Sequence, residues 1–266
     1  MLRNMLFVLL VLFAAVKFVP PCTLPFDTIK HKHPIDDTCG ISGIGGGNEK
    51  LLQNAAKNNF CATGVAALTS FATLIHKQRQ VEAPPPGGLG PDYHEPASRT
   101  TLRTLGEGSR ISIIAFIKEA HFADTGSGED VNCKGKGADN NDIHIALVEH
   151  IADPECTSVT AEMSPHFRPL IWERANPDPA STPTKPKPPI PLLNTIKRPV
   201  LIIGQLFFDA SHHPCKNGTP GKDDPARASS WEVHPVYDIK VCKHDTIATC
   251  RENVAADWED LGAVIH

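Results

Sequence analysis

N-N-D-I-H-I-A-L-V-E, residues Asn140–Glu149, alternates between apolar and polar positions. Successive side chains of an extended chain point to opposite faces. Ile143, Ile145 and Leu147 therefore share one face, and Asp142, His144 and Ala146 the other. The pattern returns in S-S-W-E-V-H-P-V-Y-D-I-K-V-C, residues Ser229–Cys242. There Trp231, Val233, Tyr237, Ile239 and Val241 fall on one side of a strand, and Glu232, His234 and Asp238 on the opposite side. Both strands carry an acid, a β-branched residue and a histidine in succession. Pro235, directly after His234, marks an edge strand or a bulge.

Three further stretches have strand character. Arg110–Phe122 sets Ile111, Ile113, Ala115 and Ile117 against Ser112, Ile114 and Phe116. Both of its faces start apolar, as in a central or strongly bent strand. Cys156–Ser164 sets Val159, Ala161 and Met163 against Ser158, Thr160 and Glu162. V-L-I-I-G-Q-L-F-F-D, Val200–Asp209, is apolar on both faces, with Gly204 at a bend or bulge. Ser164-Pro165 can start a short helix between the third and fourth strands. Five strands with that connection follow the order of an OB-like barrel, the fold predicted here; a generic β-barrel or sandwich is the alternative.

Upstream, Asn48 can cap a helix with Leu51, Leu52, Ala55 and Ala56 on one side, Lys57 at its C-terminal end, and a stop near Asn58–Asn59. A second helical pattern runs from Val65 to Gln80 through Val65, Leu68, Ala72, Ile75 and Arg79, ended by P-P-P-G-G from Pro84. This pair is expected to pack on the barrel, held partly by Cys39 and Cys61. Asp124–Asn141 reads as a long Gly- and Asp-rich loop without EF-hand spacing. Asn176–Pro199, with eight prolines, reads as an extended surface insertion. Trp258, Leu261 and Val264 suggest a short helix in the tail.

Residues 1–21 resemble an export signal, with Arg3 ahead of the apolar run Met5–Val16. That run is too short to span a bilayer, which takes about 20 residues. Lys17 and Phe18 sit where a cleavage site wants small residues, so an uncleaved anchor is the alternative. No later stretch is apolar enough to cross a membrane. The predicted organisation is a signal or anchor over 1–21, a helical and loop region over 22–105, the barrel over 106–242 with its Pro-rich insertion at 176–199, and a tail over 243–266.

Eight cysteines lie beyond the signal, and none forms a C-x-x-C pair. An even count in an exported chain implies disulfides, with Cys242–Cys250 the first pairing to expect because the segment between them is short and polar. The formal net charge of −4 falls to −6 without Arg3 and Lys17. That balance disfavours nucleic acid as a partner. The expected location is periplasmic, cell-surface or extracellular.

If the polar faces of the strands adjoin, Asp142, His144, Glu162, Glu232 and His234 converge, with Asp209 and His212 at the end of the fourth strand. Such a set suits a divalent ion, zinc or manganese, held by His144, His234, Asp142 and Glu162. His144 and Glu232 are the candidate catalytic residues, and a His–Asp pair could serve as general base without metal. These residues are also ordinary occupants of a half-exposed strand, where acid–His pairs stabilise a sheet by roughly 0.2–1 kcal/mol. No G-x-S-x-G, H-E-x-x-H or phosphate-loop sequence is present. His31-Lys32-His33 reads as a solvated terminal segment.

Val131–Cys133, Asn141–Leu147, Thr160–Trp172, Gly204–His212 and Trp231–Val236 (V-N-C, N-D-I-H-I-A-L, T-A-E-M-S-P-H-F-R-P-x-x-W, G-Q-L-F-F-D-A-S-H and W-E-V-H-P-V) resemble a group of uncharacterised bacterial exported proteins. The likeness spans about residues 106–242, with a further echo in Gln53–Cys61. It implies export and a single β-rich domain, and carries no activity. The leading expectation is a non-enzymatic exported binding or structural module. Its ligand, unknown, would be an oligosaccharide or protein taken on the face of His144 and Glu162. The alternative is a divalent-metal-dependent hydrolase of phosphodiesters or esters.

Overall fold

The computed structural model describes residues 38–62, 64–168 and 192–265. The segments 1–21, His31-Lys32-His33 and 176–191 lie outside them. Seven strands form one sheet: β1 (Ala67–Thr69), β2 (Arg110–Phe122), β3 (Ile143–Val148), β4 (Val159–Met163), β5 (Val200–Phe208), β6 (Trp231–Cys242) and β7 (Trp258–Asp260). Around it stand α1 (Asn48–Lys57), α2 (Phe71–Glu82), α3 (Thr100–Thr104) and α4 (Leu261–Val264).

β2, β3, β4, β6 and β5 close on themselves, because β5 pairs back onto β2. All contacts in this ring are antiparallel except β4–β6, which is parallel. Closure removes the free edges that a five-stranded sheet would otherwise expose. The order is that of an OB-like barrel, with β1 and β7 added outside. Its interior is filled by the apolar faces read from alternation. Ile111, Ile113, Ala115 and Ile117 meet Ile143, Ile145, Leu147, Val159, Ala161, Met163, Ile202, Trp231 and Val233. The short helix after Ser164 is a 3-10 turn, Pro165–Phe167, whose first turn the Ser164 hydroxyl caps.

Several expectations need correction. The second helix starts at Phe71, not Val65, with Ser70 accepting from the Thr73 amide. Val65 is exposed and Leu68 lies in β1, so the buried stripe is Phe71, Leu74, Gln78 and Val81. Gly47, not Asn48, occupies the cap position of α1. α1 also buries Gln53 and Asn54 rather than Leu51, Leu52, Ala55 and Ala56, because it lies over the barrel's polar face. The alternation of β6 resets at Pro235. Val236 enters the core and Tyr237 turns outward, donating from its hydroxyl to Asn59 O at 2.6 Å. Within the Pro-rich stretch, Leu193, Ile196 and Pro199 are buried, while Thr195 and Lys197 stay exposed. Leu193 and Ile196 join the core, and Asn194 exchanges hydrogen bonds with both backbone groups of Ala120, next to a register shift in β2. In the tail, β7 precedes the short helix, and Trp258 belongs to the strand.

Disulfides join Cys39 to Cys133, Cys156 to Cys215 and Cys242 to Cys250. The last is the pair expected from spacing. The first ties the N-terminal region to the β2–β3 loop, the role expected of Cys39. Among the described residues, no helix is long and apolar enough to cross a membrane.

Candidate metal centre and cleft

Register places the polar side chains in one row on the outer face of the barrel. His121 stands opposite His144, and His144 opposite Glu162. Ala161 pairs with Val233 in parallel register, so the next residues along, Glu162 and His234, are neighbours. The two acid–X–His triplets therefore do share a site. Asp142 sits just before β3 rather than within it, and Glu232 lies two residues before His234 on the same face.

This face is covered. α1 lays Gln53 and Lys57 over it, and the β2–β3 loop brings Glu129 and Asn132. The β5–β6 connection brings Asp209, His212 and Arg227. Glu162 is the hub, with Oε1 3.3 Å from His144 Nε2, and Oε2 2.5 Å from His234 Nδ1 and 3.4 Å from Lys57 Nζ. His234 Nε2 is 3.5 Å from Asp142 Oδ2, and its Nδ1 is also 3.6 Å from Glu232 Oε1. Asn132 donates to Asp142 Oδ1 at 2.9 Å and to Glu129 Oε2 at 3.1 Å. The amide of Asp142 donates to the same Glu129 oxygen at 3.0 Å. Gln205 joins α1 to the row, donating to Ala56 O at 2.8 Å and to His234 O at 2.7 Å.

Asp209 and His212 form an adjoining pair. The Asp209 Oδ2 atom lies 2.8 Å from His212 Nδ1 and accepts from Arg227 Nη2 at 2.9 Å. Its Oδ1 accepts from the Ser211 amide at 3.0 Å. Arg227 Nη1 donates to Glu232 Oε2 at 3.0 Å, linking this pair to the row.

The charges explain the protonation pattern. Burial opposes ionisation of Glu162, but His144, Lys57 and His234 hold its pKa well below the ordinary carboxylate value. Burial likewise opposes protonation of the two imidazoles. The facing carboxylates overcome it, raising His144 to about 9 through Glu162 and Glu129, and His234 to about 10 through Glu162 and Glu232. Asp142 is pushed up to about 6 by burial and by Glu129. Asp209 is held low against burial by Arg227 and the His212 hydrogen bond. Metal-free, the layer is balanced by protons on its histidines.

Asp142, Glu162 and His234 could hold a metal ion: they offer donor atoms within 4.8 Å of one another, and all three are buried. Among the described residues, Asp142 Oδ2, His144 Nε2, His234 Nε2 and Glu232 Oε1 are buried without an aligned hydrogen-bond partner. The metal set expected from sequence thus forms for three of its four members. His144 stands on the other side of Glu162, facing a cleft of about 500 Å³. Lys57, His121, Glu129, Glu162, Asp209, His212 and Arg227 also line that cleft, whereas His234, Asp142 and Glu232 lie behind its wall.

Lys57, Glu129 and Arg227 were not predicted as site residues. Lys57 looked like a charge complementing the end of a helix. Glu129 and Arg227 sit in loops whose course alternation does not reveal. The nearest signal was Cys133, four residues after Glu129, which pins that loop. No family model, curated protein or solved structure matches the chain.

Proposed function

We propose that the protein is an exported hydrolase of uncharged esters, in which Asp142, Glu162 and His234 hold a zinc or manganese ion behind the cleft. The observation that carries this reading is the convergence of three buried donors, one of them the Glu162 carboxylate that opens onto the cleft, with Asp142 Oδ2 and His234 Nε2 lacking an aligned hydrogen-bond partner. Neutral imidazole and ionised carboxylate are natural ligands of such ions. Bound there, the ion would supply an acidified water as nucleophile. Asn132 and Glu129 orient Asp142, while Lys57 stands where it would stabilise negative charge developing on a substrate oxygen.

The lining favours an uncharged substrate. Seven carboxylates face the cleft against Lys57, Arg227 and the protonated His144, and one divalent ion leaves the excess negative. A phosphodiester would be repelled. The binding-module reading would use the same outer face of β3 and β4, which α1 and the β2–β3 loop narrow to the cleft lined by His144, Ala146, Thr160 and Glu162. No Trp, Tyr or Phe side chain is among the described residues lining the cleft, which removes the usual platform for stacking a sugar. Export is supported by the disulfides Cys39–Cys133, Cys156–Cys215 and Cys242–Cys250 among the described residues, since such bonds persist in oxidising compartments.

The test is turnover of p-nitrophenyl acetate and bis(p-nitrophenyl) phosphate by chelator-treated protein before and after zinc or manganese is returned. Metal-dependent cleavage of the acetate, lost in Asp142→Asn, is expected. Preference for the phosphodiester would contradict the substrate class, and no turnover of either would contradict the enzyme.

A further inference from the structure

We infer that His212, held by Asp209, is the general acid that protonates the departing alcohol in this cleft. The inference rests on the ester-hydrolase reading and adds a residue that the metal set does not contain.

Asp209 is built as an orienting carboxylate. It is buried, and each of its oxygens is occupied: Oδ1 by the Ser211 amide, and Oδ2 by Arg227 and the His212 ring. A carboxylate so held accepts a hydrogen bond from Nδ1–H and thereby fixes the ring's tautomer and orientation. The backbone of His212 is clamped as well. Its carbonyl accepts from Ser230 Oγ at 2.8 Å and from Arg227 Nη2 at 3.3 Å. The ring itself is 46% exposed and lines the cleft, with Nε2 on the side away from Asp209. A fixed carboxylate on one ring nitrogen, a clamped carbonyl and an exposed ring at the cleft together present Nε2 to a bound substrate. His144, the other cleft imidazole bonded to the network, is engaged with Glu162 instead.

The step balances with water and ester alone. Water oxygen bonds to the ester carbonyl carbon and loses its proton to solvent. The carbon–oxygen bond to the alcohol then breaks, the electron pair goes to the alkoxide, and Nε2 gives it a proton. Solvent reprotonates the ring.

A general acid matters for a basic leaving group and little for p-nitrophenolate, which needs no proton. The experiment therefore compares benzyl acetate with p-nitrophenyl acetate in zinc-loaded wild-type protein, His212→Ala and His212→Gln. Metal content and melting temperature are measured on the same samples. The expected result is a fall in kcat of about 100-fold or more on benzyl acetate and less than about tenfold on the p-nitrophenyl ester, with zinc retained. Equal loss on both esters, or no loss on benzyl acetate, would overturn the role of His212. Absence of bound zinc, or of turnover by the wild type, would instead overturn the hydrolase reading on which it rests.

Discussion

Glu162 Oε2 lies 2.5 Å from His234 Nδ1, and neither side chain is more than 4% exposed. This contact joins β4 to β6 at the single parallel pairing of the barrel. It also places the imidazole so that its other nitrogen faces Asp142. The site therefore depends on closure of the barrel through that pair.

Glu162→Gln should destabilise the metal-free protein severely. Lys57, His144 and His234 would lose the carboxylate they share. Removing one partner from a buried ionic cluster costs about 3–5 kcal/mol. Urea denaturation of chelator-treated protein checks this, and an unchanged midpoint would contradict it.

pH should act on the metal-free protein through the same imidazoles. His144 and His234 are raised to about 9 and about 10. The unfolded value is about 6.5. Their stabilising contribution is therefore complete below the unfolded pKa and is lost as pH rises through the folded values. Asp142, raised to about 6, acts in the same direction at lower pH. Melting temperature should fall from neutral pH toward pH 10, with a shallower slope in His234→Gln. Zinc binding should tighten over the same rise, because ligation needs the neutral ring. A flat melting profile would oppose this assignment.

Much of this was legible in the sequence because alternation with a period of two fixes which side chains share a face. Ile143, Ile145 and Leu147 had to point inward, so His144 had to point outward, and the same logic placed Glu162 and His234. Alternation carries no information about what lies on top of a face. Gln53 and Asn54 turned inward against the apolar expectation for α1, because the surface beneath that helix is polar. Tyr237 changed sides because the β5–β6 pairing shifts register on both sides of Gly204: the first irregularity turns Val236 inward and Tyr237 outward, and the second returns Ile239 and Val241 to the core face. Gly204 signalled that irregularity, but not its effect on the partner strand.

Gly204→Ala should be destabilising. A Cβ there would stand 2.5 Å from Pro235 O and 2.5 Å from Val233 Cγ1. Overpacking of this kind costs about 1–3 kcal/mol. Thermal unfolding should show a clear drop, and a melting temperature equal to wild type would show that β6 yields freely.

Replacing Cys39 and Cys133 together by serine should weaken both the fold and the metal site. The bridge closes a separation of 94 residues and anchors the loop that carries Glu129 and Asn132. A loss of about 2–4 kcal/mol is expected, with weaker zinc binding than in the matching Cys242→Ser, Cys250→Ser protein. Equal affinity in the two would separate the disulfide from the site.

The most direct measurement is calorimetric titration of zinc into tag-free, chelator-treated protein, beside Asp142→Asn and His234→Ala. One ion per chain, with release of protons and with binding abolished in both variants, is the predicted result. No binding by the wild type, together with a melting temperature unchanged by chelator, would contradict the metal centre.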